Sequence, residues 1–293
     1  AYDIIKQKTD LGLDLVPYPQ IFNDVNNQKA EVILYRPTGE SGDFEKANFP
    51  IGVEGGKTST CPTQNLMEAY DMKDGTPFVW NNQSDPYDNR DPRMKYTIVC
   101  NEMKWPVDPV EIWEGGTNGL PLQNATTTGY YLKKYVNNTI SFEAGSTVTK
   151  KQHNWVLFRY GEILLNYAEA MINAFHDPNY KDAVYNMSAR EAVNQIRGRT
   201  NISLPGFPSD ITEKDFVKRL KNERRVELAF EGHRFWDVRR WKELGQTANI
   251  YGVKITKNNE VISYEKFLLE TRAVTDNMYF YPIPNTERFK NPN

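Results

Sequence analysis

The sequence predicts a predominantly α protein in which helical pairs pack against a loop-rich mixed region with short strands. Three observations lead there. From residue 153 onward, apolar residues recur at helical spacing; the first 150 residues are rich in Gly, Pro, Asn and aromatics; and KNERRVELAFEGHRFWDVRRW (221–241) threads acids, bases and large apolar residues together. The chain has 293 residues, 39% hydrophobic and 25% charged, a globular balance at a length that needs no disulfide staple.

In the first half, VILYR (32–36) and YTIVC (96–100) read as strands, QNLMEAYDM (64–72) as a short helix, and TGESGDFEKANFPIGVEGG and NNQSDPYDNRDP as long loops. Such loops are costly to order and are often functional. HNWVLFRYGEILLNYAEAMINAF then places Val156, Tyr160, Ile163, Leu164, Tyr167, Ala168, Met171 and Phe175 on one helical face. YKDAVYNMSAREAVNQIRGRTN (180–201) repeats the pattern through Ala189, Ala192, Val193 and Ile196. The two segments are expected to form an antiparallel helical pair joined near Asp177-Pro178, with lengths that suit a helical repeat. After LPGFPSD, Thr212 with Asp215 starts a helix to about Phe230, Gly232 ends or bends it, and HRFWDVRRWKEL resumes. GVKITKNNEVISYEK predicts a small hairpin around Lys257 to Asn259, and Pro282 and Pro284 take the tail out of helix.

Composition excludes several functions. Lys plus Arg total 36 against 38 Asp plus Glu, a net charge of -2 that gives no support to a dedicated nucleic-acid binder. Cys61 and Cys100 sit in dissimilar loop contexts; they could pair, but two independent small residues is the simpler reading. His153, His176 and His233 are scattered, without metal-ligand spacing. No serine elbow, Cys–His dyad, P-loop or dinucleotide fingerprint is present. AYDIIKQKTDLG lacks a basic-then-apolar leader, and no apolar run is long enough for a membrane helix. The expectation is a cytoplasmic protein or one whose targeting segment lies outside this chain.

Glu223, Glu227 and Glu231 follow one another at four-residue steps, so their carboxylates line one helical face. Such a row is self-repulsive unless guanidinium groups neutralise it. Arginine suits that work, because its planar fork grips a carboxylate while its face stacks on aromatics. A structural ion network of Glu223, Arg224, Glu227, Arg234 and Asp237 is therefore predicted, packed on Leu220, Phe230, Phe235, Trp236, Val238 and Trp241. A phosphate-tracking helix would be predominantly basic, and this one is not.

NERRVELAFEGHRFWDVRRW resembles the signature of the SusD/RagB family, the surface glycan-binding lipoproteins of Bacteroidetes outer membranes. Further pieces occur in family order: PTQNLMEAYDMKDG (62–75), NRDPRMKYTI (89–98), FRYGEILLNYAEAMIN (158–173), AVNQIRGRT (192–200) and YPIPNTERFKNPN (281–293). The resemblance implies a SusD-like fold with tetratricopeptide-like helical pairs. It also implies a non-catalytic role, holding an oligosaccharide or polysaccharide for a SusC-like TonB-dependent transporter on the extracellular face of the outer membrane. Members are near twice this length, so the chain corresponds to a C-terminal part. The membrane is then met only through a lipid anchor on an N-terminal segment absent here, and neither Cys61 nor Cys100 has that cysteine's context. Residues 1–150 form the expected ligand side and 151–293 the helical region and tail, together one compact domain. Some relatives serve peptide uptake, so a peptide- or protein-binding role is the alternative.

Sugar rings pack their C–H faces on aromatic rings while their hydroxyls bond to amides, carboxylates and arginines. The resemblance transfers no ligand residue, so candidates rest on loop chemistry: Trp80, Asn82, Asp85 and Tyr87 in one loop, Trp105 and Trp113 in a second, Tyr131 in a third. Trp80 and Trp105 lead, because no helix or strand period accounts for them. A glycoside hydrolase needs two carboxyls flanking a bond, and nothing singles out a pair among Asp85, Asp88, Asp91, Glu111 and Glu114. No cofactor is expected. Calcium could find oxygen ligands in SDPYDNRD, although solvated loop acids are the simpler reading.

Overall fold

The computed structural model describes residues 1–23, 30–81 and 85–290, and in them helices outweigh strands. In chain order these are α1 (Tyr2–Lys6), α2 (Gln20–Asn23), β1 (Val32–Ser41), α3 (Asp43–Asn48), α4 (Gln64–Met67), α5 (Pro92–Thr97), β2 (Ile98–Val99), β3 (Tyr131–Leu132) and β4 (Lys151–Arg159). Then come α6 (Tyr160–Phe175), α7 (Ala189–Arg197), α8 (Glu213–Glu227), α9 (Arg234–Arg240), β5 (Asn249–Asn258), β6 (Val261–Thr271) and α10 (Asn285–Lys290). The strands form three antiparallel pairs, β1–β4, β2–β3 and β5–β6.

The helices start where side chains can satisfy their first amides. Ser188 and Glu191 make a complete capping box for α7, and Thr212 accepts from the Asp215 amide to open α8. His176, in the left-handed region, closes α6. The hairpin β5–β6 turns at Asn259-Glu260 where expected but is much longer than the small hairpin predicted.

Four expectations are corrected. Residues 153–159 are strand rather than the first turns of a helix, because β4 pairs with β1 across a register that sets Leu34 against Phe158 and Val32 against Arg159. The helical phase at Val156 was coincidental; Trp155, Val156 and Phe158 are also good strand residues, and a partner strand decides. Residues 180–188 stay out of helix because the Asp182 carboxylate accepts from the Val184 and Tyr185 amides, tying that stretch into a turn. The helix predicted over 64–72 stops at Met67, and a short helix, α3, sits inside the predicted loop after β1.

Helix α8 lies between two cores. Phe216 and Leu220 pack with α6 and α7 in a cluster holding Leu164, Leu165, Ala168, Val193 and Ile196. Val226 instead joins a cluster of Tyr70, Met94, Ile98, Trp105 and Tyr131 with Val253 and Ile255 of the hairpin. Both clusters thus join residues from far apart in the chain, each fully buried large side chain contributing about 1.5–3 kcal/mol. On the outside, Leu34 of β1 and Phe158 of β4 stay exposed beside one another.

Removing the α7 cap with Ser188→Ala should cost about 1 kcal/mol. Chemical denaturation of the two proteins measures it, and an unchanged midpoint would show that the box is dispensable.

Candidate functional site

Burial of the α8 carboxylates would be prohibitive without counter-charges, and the fold delivers them from distant segments. Glu227, with 0% exposure, accepts from Arg93 (2.9 Å), Arg159 (2.8 Å) and Arg199 (2.7 Å). Glu223 accepts from Arg93 at 2.5 Å and from Arg197 at 2.8 Å. Arg159 reaches on to Glu231 (2.7 Å) and Glu31 (2.8 Å), and Lys134 donates to Glu231 at 2.8 Å. Arg199 also grips Glu31, and Arg93 is forked by Asp91, whose side chain caps α5. Acids and bases balance in this set.

Burial alone would raise the Glu227 carboxyl, but the charges of Arg199, Arg159 and Arg93 hold it well below the ordinary carboxylate range. Glu223 and Glu231 are lowered in the same way, burial being outweighed by Arg93 and Arg197 for the first and by Arg159 and Lys134 for the second. Burial pulls Lys134 down to about 8 despite Glu231.

The seam was only half visible in residues 221–241. Arg93, Arg159, Arg197 and Arg199 lie in NRDPRMKYTI, FRYGE and IRGRT, stretches that stand out in the sequence for other reasons. Arg224 and Asp237 pair with each other (2.9 Å), with Arg224 also donating to Asn166, while Arg240 bonds Asp237 and Glu169. Arg234 is a correction: it donates to Gln246 at 2.9 Å and stands outside the network. Phe230 and Gly232, both at positive φ, redirect the chain between α8 and α9 and turn Arg234 away. The predicted apolar surround is likewise corrected. Leu220 and Val238 are buried, but Phe230, Phe235 and Trp236 are exposed, and Trp236 (56% exposed) stands beside Tyr281 with ring centroids 5.7 Å apart.

The proposed ligand aromatics divide. Trp105 is 3% exposed and meets Phe49 edge-on at 5.5 Å; Tyr87 packs edge-on against Tyr130 and Tyr264; the Tyr131 hydroxyl donates to the Asn118 carbonyl at 2.5 Å. All three are core residues with no face open to a ligand. They sit in loops, but these loops fold onto the core, which neither helix nor strand period can reveal. Trp113 is half-buried, with Lys257 Nζ 4.4 Å from its ring centroid. Asp85 is exposed and accepts from the Tyr87 amide, and Asn82 lies outside the described residues. Trp80 is half-buried, its ring 6.4 Å from that of Phe78. The remaining loop acids have separate partners: Asp88 accepts from Asn89, Glu111 from Thr117, and Glu114 pairs with Lys254. Among the described residues no group of three or more His, Cys, Asp or Glu converges on a metal position.

Beside Phe78 opens a cleft of about 430 Å³ between residues 68–78 and the outer face of α8. Its loop wall is stiffened locally: Gly75 at φ 81 permits the turn, the Gly75 amide donates to the Met72 carbonyl, and Asp74 accepts from the Thr76 amide. Arg219 and Asn222 of α8 clamp it by donating to the carbonyls of Gly75 and Ala69, each at 2.7 Å. Ala69, Pro77, Phe78 and Val217 make an apolar wall; Asn222, Gln246, Arg225 and Arg234 offer polar groups. The carboxylates at its edge are each engaged: Glu68 by Lys266 at 2.8 Å, Asp71 by Arg197 at 3.3 Å and Glu243 by Lys221 at 2.5 Å. Burial still raises Asp71 above its ordinary range, with Arg197 opposing.

The model described as the SusD family matches residues 21–293, and the chain belongs to that family. It is similar to a solved SusD-like protein from Bacteroides fragilis, with 26% identity and a TM-score of 0.79 over 99% of this chain and 60% of that one. A SusD-like carbohydrate binding protein from the same species shares the fold, with TM-score 0.79 at 23% identity over 99% of this chain and 59% of that one. SusD-like protein P2 of Formosa agariphila is 28% identical over 155 residues, 51% of this chain and 26% of that protein. The chain thus spans less than two thirds of the length of each. Among the described residues no helix is long and apolar enough to cross a membrane.

Glu227→Ala should cost on the order of 3–5 kcal/mol, because it strands buried guanidinium groups; a melt within error of the parent would sink this account. Stability should also depend on pH with a definite sign. The three glutamates titrate near 4.5 when unfolded and lower when folded, so the unfolded chain binds more protons below that value. Their stabilisation is complete above about pH 5 and is lost as pH falls through and below 4.5. Urea titrations from neutral to acidic pH read the slope. Trp105→Ala should destabilise by about 3–5 kcal/mol, as core truncations do.

Proposed function

We propose that the protein binds oligosaccharide at its surface, without chemical turnover, and passes it to a SusC-like TonB-dependent transporter in the outer membrane. The cleft beside Phe78 carries this reading. It sets an apolar wall for the C–H faces of a sugar against amide and guanidinium groups for its hydroxyls, at a size usual for small-ligand sites. Membership of the SusD family supports the same class of ligand, as does the carbohydrate-binding description of one solved relative of the same fold. In this reading the protein works on the extracellular face, tethered by a lipid anchor. The α6–α7 pair is one tetratricopeptide-like unit, and residues 1–150 and 151–293 act as one domain whose first part meets the ligand. A non-catalytic role fits the cleft's carboxylates, each of which has a cation on it. A peptide-binding role is the second reading, favoured by the exposed group of Phe235, Trp236 and Tyr281.

Trp80→Ala should weaken oligosaccharide binding by about 1–2 kcal/mol, the scale of a central aromatic contact, with little change in melting temperature. Calorimetric titration against a glycan panel beside a peptide panel checks this; unchanged affinity in both Trp80→Ala and Asn222→Ala would move the site out of the cleft. Incubation with the bound glycan should release no new reducing ends. Turnover abolished by Asp71→Asn would make the protein a hydrolase instead.

A further inference from the structure

The cleft's charge is unbalanced. Its acids all have cations, yet two of its arginines have no carboxylate. Arg225 donates to one acceptor, the Asn65 carbonyl at 2.8 Å, and Arg234 to one, the Gln246 amide oxygen at 2.9 Å. A guanidinium carries five N–H donors, so most of theirs have no protein partner among the described residues. The buried arginines are treated differently. Arg93, Arg159, Arg197, Arg199 and Arg224 end on carboxylates, and Arg90 is taken up by the carbonyls of Met67, Tyr70 and Pro86. The spare donors of Arg225 and Arg234 are not sealed in the interior either; both residues border the open cleft. Lys218, one helical face with Arg225 and also bordering the cleft, adds a third cation with no ion-pair partner among the described residues.

We infer that Arg225 and Arg234 receive an anionic group of the bound glycan, a uronate carboxylate or a sulfate ester, making the cleft selective for acidic sugars. The inference rests on the glycan reading above and names its ligand class. A planar fork bonds either group through paired N–H donors, and Phe78 and Val217 lie on the same cleft to flank the sugar ring. A neutral sugar would leave the two like charges unneutralised on the same cleft, whereas an anion relieves their repulsion. The same repulsion shows in Arg225, which burial and then the charge of Arg234 pull down to about 10.

The test is calorimetric titration of the whole chain with matched pairs: tetragalacturonate and its methyl ester, and a sulfated galactan tetrasaccharide and its desulfated form, with inorganic sulfate as a separate probe. At least one acidic member should bind roughly tenfold or more tighter than its neutral partner, as a charge-assisted fork allows. The two pairs tell carboxylate from sulfate. Added salt, Arg225→Gln and Arg234→Gln should each remove that preference, weakening the acidic sugar far more than its neutral partner. Arg234→Gln, nearer the surface, keeps the test decisive should Arg225→Gln lower stability. A neutral sugar bound as well as its acidic partner, or a preference surviving both substitutions, overturns this inference and leaves the glycan reading standing. Sulfate bound through these arginines with no tetrasaccharide bound keeps the anion site and removes the glycan reading. Failure of sulfate and of every sugar to bind overturns both.

Discussion

The Glu227 carboxylate is the point on which the fold turns. It is fully buried, and its two oxygens take donors from Arg93 in α5, Arg159 at the end of β4 and Arg199 after α7. These segments are far apart in sequence, so one side chain joins the loop-rich half, the β1–β4 pair and the helical half. Each charge is tolerable only because its partners are present, and removing any member leaves another stranded in a medium that cannot solvate it. The network is therefore less a source of net stability than a constraint on geometry. Arg159 and Arg199 both end on Glu31 as well, which fixes their forks from a second side.

The same helix supplies the cleft. Along α8, Glu223 and Glu227 face the network while Val217, Arg219, Asn222 and Arg225 border the outer pocket, two stripes set by the 3.6-residue period. A helix pinned from inside by several guanidinium groups is a rigid wall for a binding surface outside. The loop opposite is anchored to that wall by Arg219 and Asn222 rather than left to order on binding, which lowers the entropic cost of holding a ligand. The inner face is electrically balanced and the outer face carries an excess of cations. One helix thus separates the arginines that close the inner network from those that border the outer cleft.

What sequence reading captured, it captured where interactions are local. The starts of α7 and α8 follow from Ser188 with Glu191 and Thr212 with Asp215, the hairpin turn from the polar run around Lys257 to Asn259, and the redirection after α8 from Gly232. The carboxylate row at 223, 227 and 231 demanded guanidinium partners before any partner was known. The ordered motifs that relate the chain to the SusD family were legible for the same reason: they are contiguous stretches.

Tertiary structure alone decided which arginines answered that demand, because a charge finds its partner through space; the arginines near in sequence, Arg224, Arg225 and Arg234, went to Asp237, the Asn65 carbonyl and Gln246. It decided that residues 153–159 are a strand, since strand against helix there depends on whether β1 lies alongside. It sorted the aromatics too. Trp105, Tyr87 and Tyr131 went into the core, Trp80 to a half-buried place near Phe78 and Trp236 to the surface, since burial of a loop side chain depends on what the loop folds against. By itself the sequence determined the charges that had to be paired and the ends of the helices that carry them. The pairing, and the unpaired arginines left facing the cleft, came from long-range contacts that no local pattern encodes.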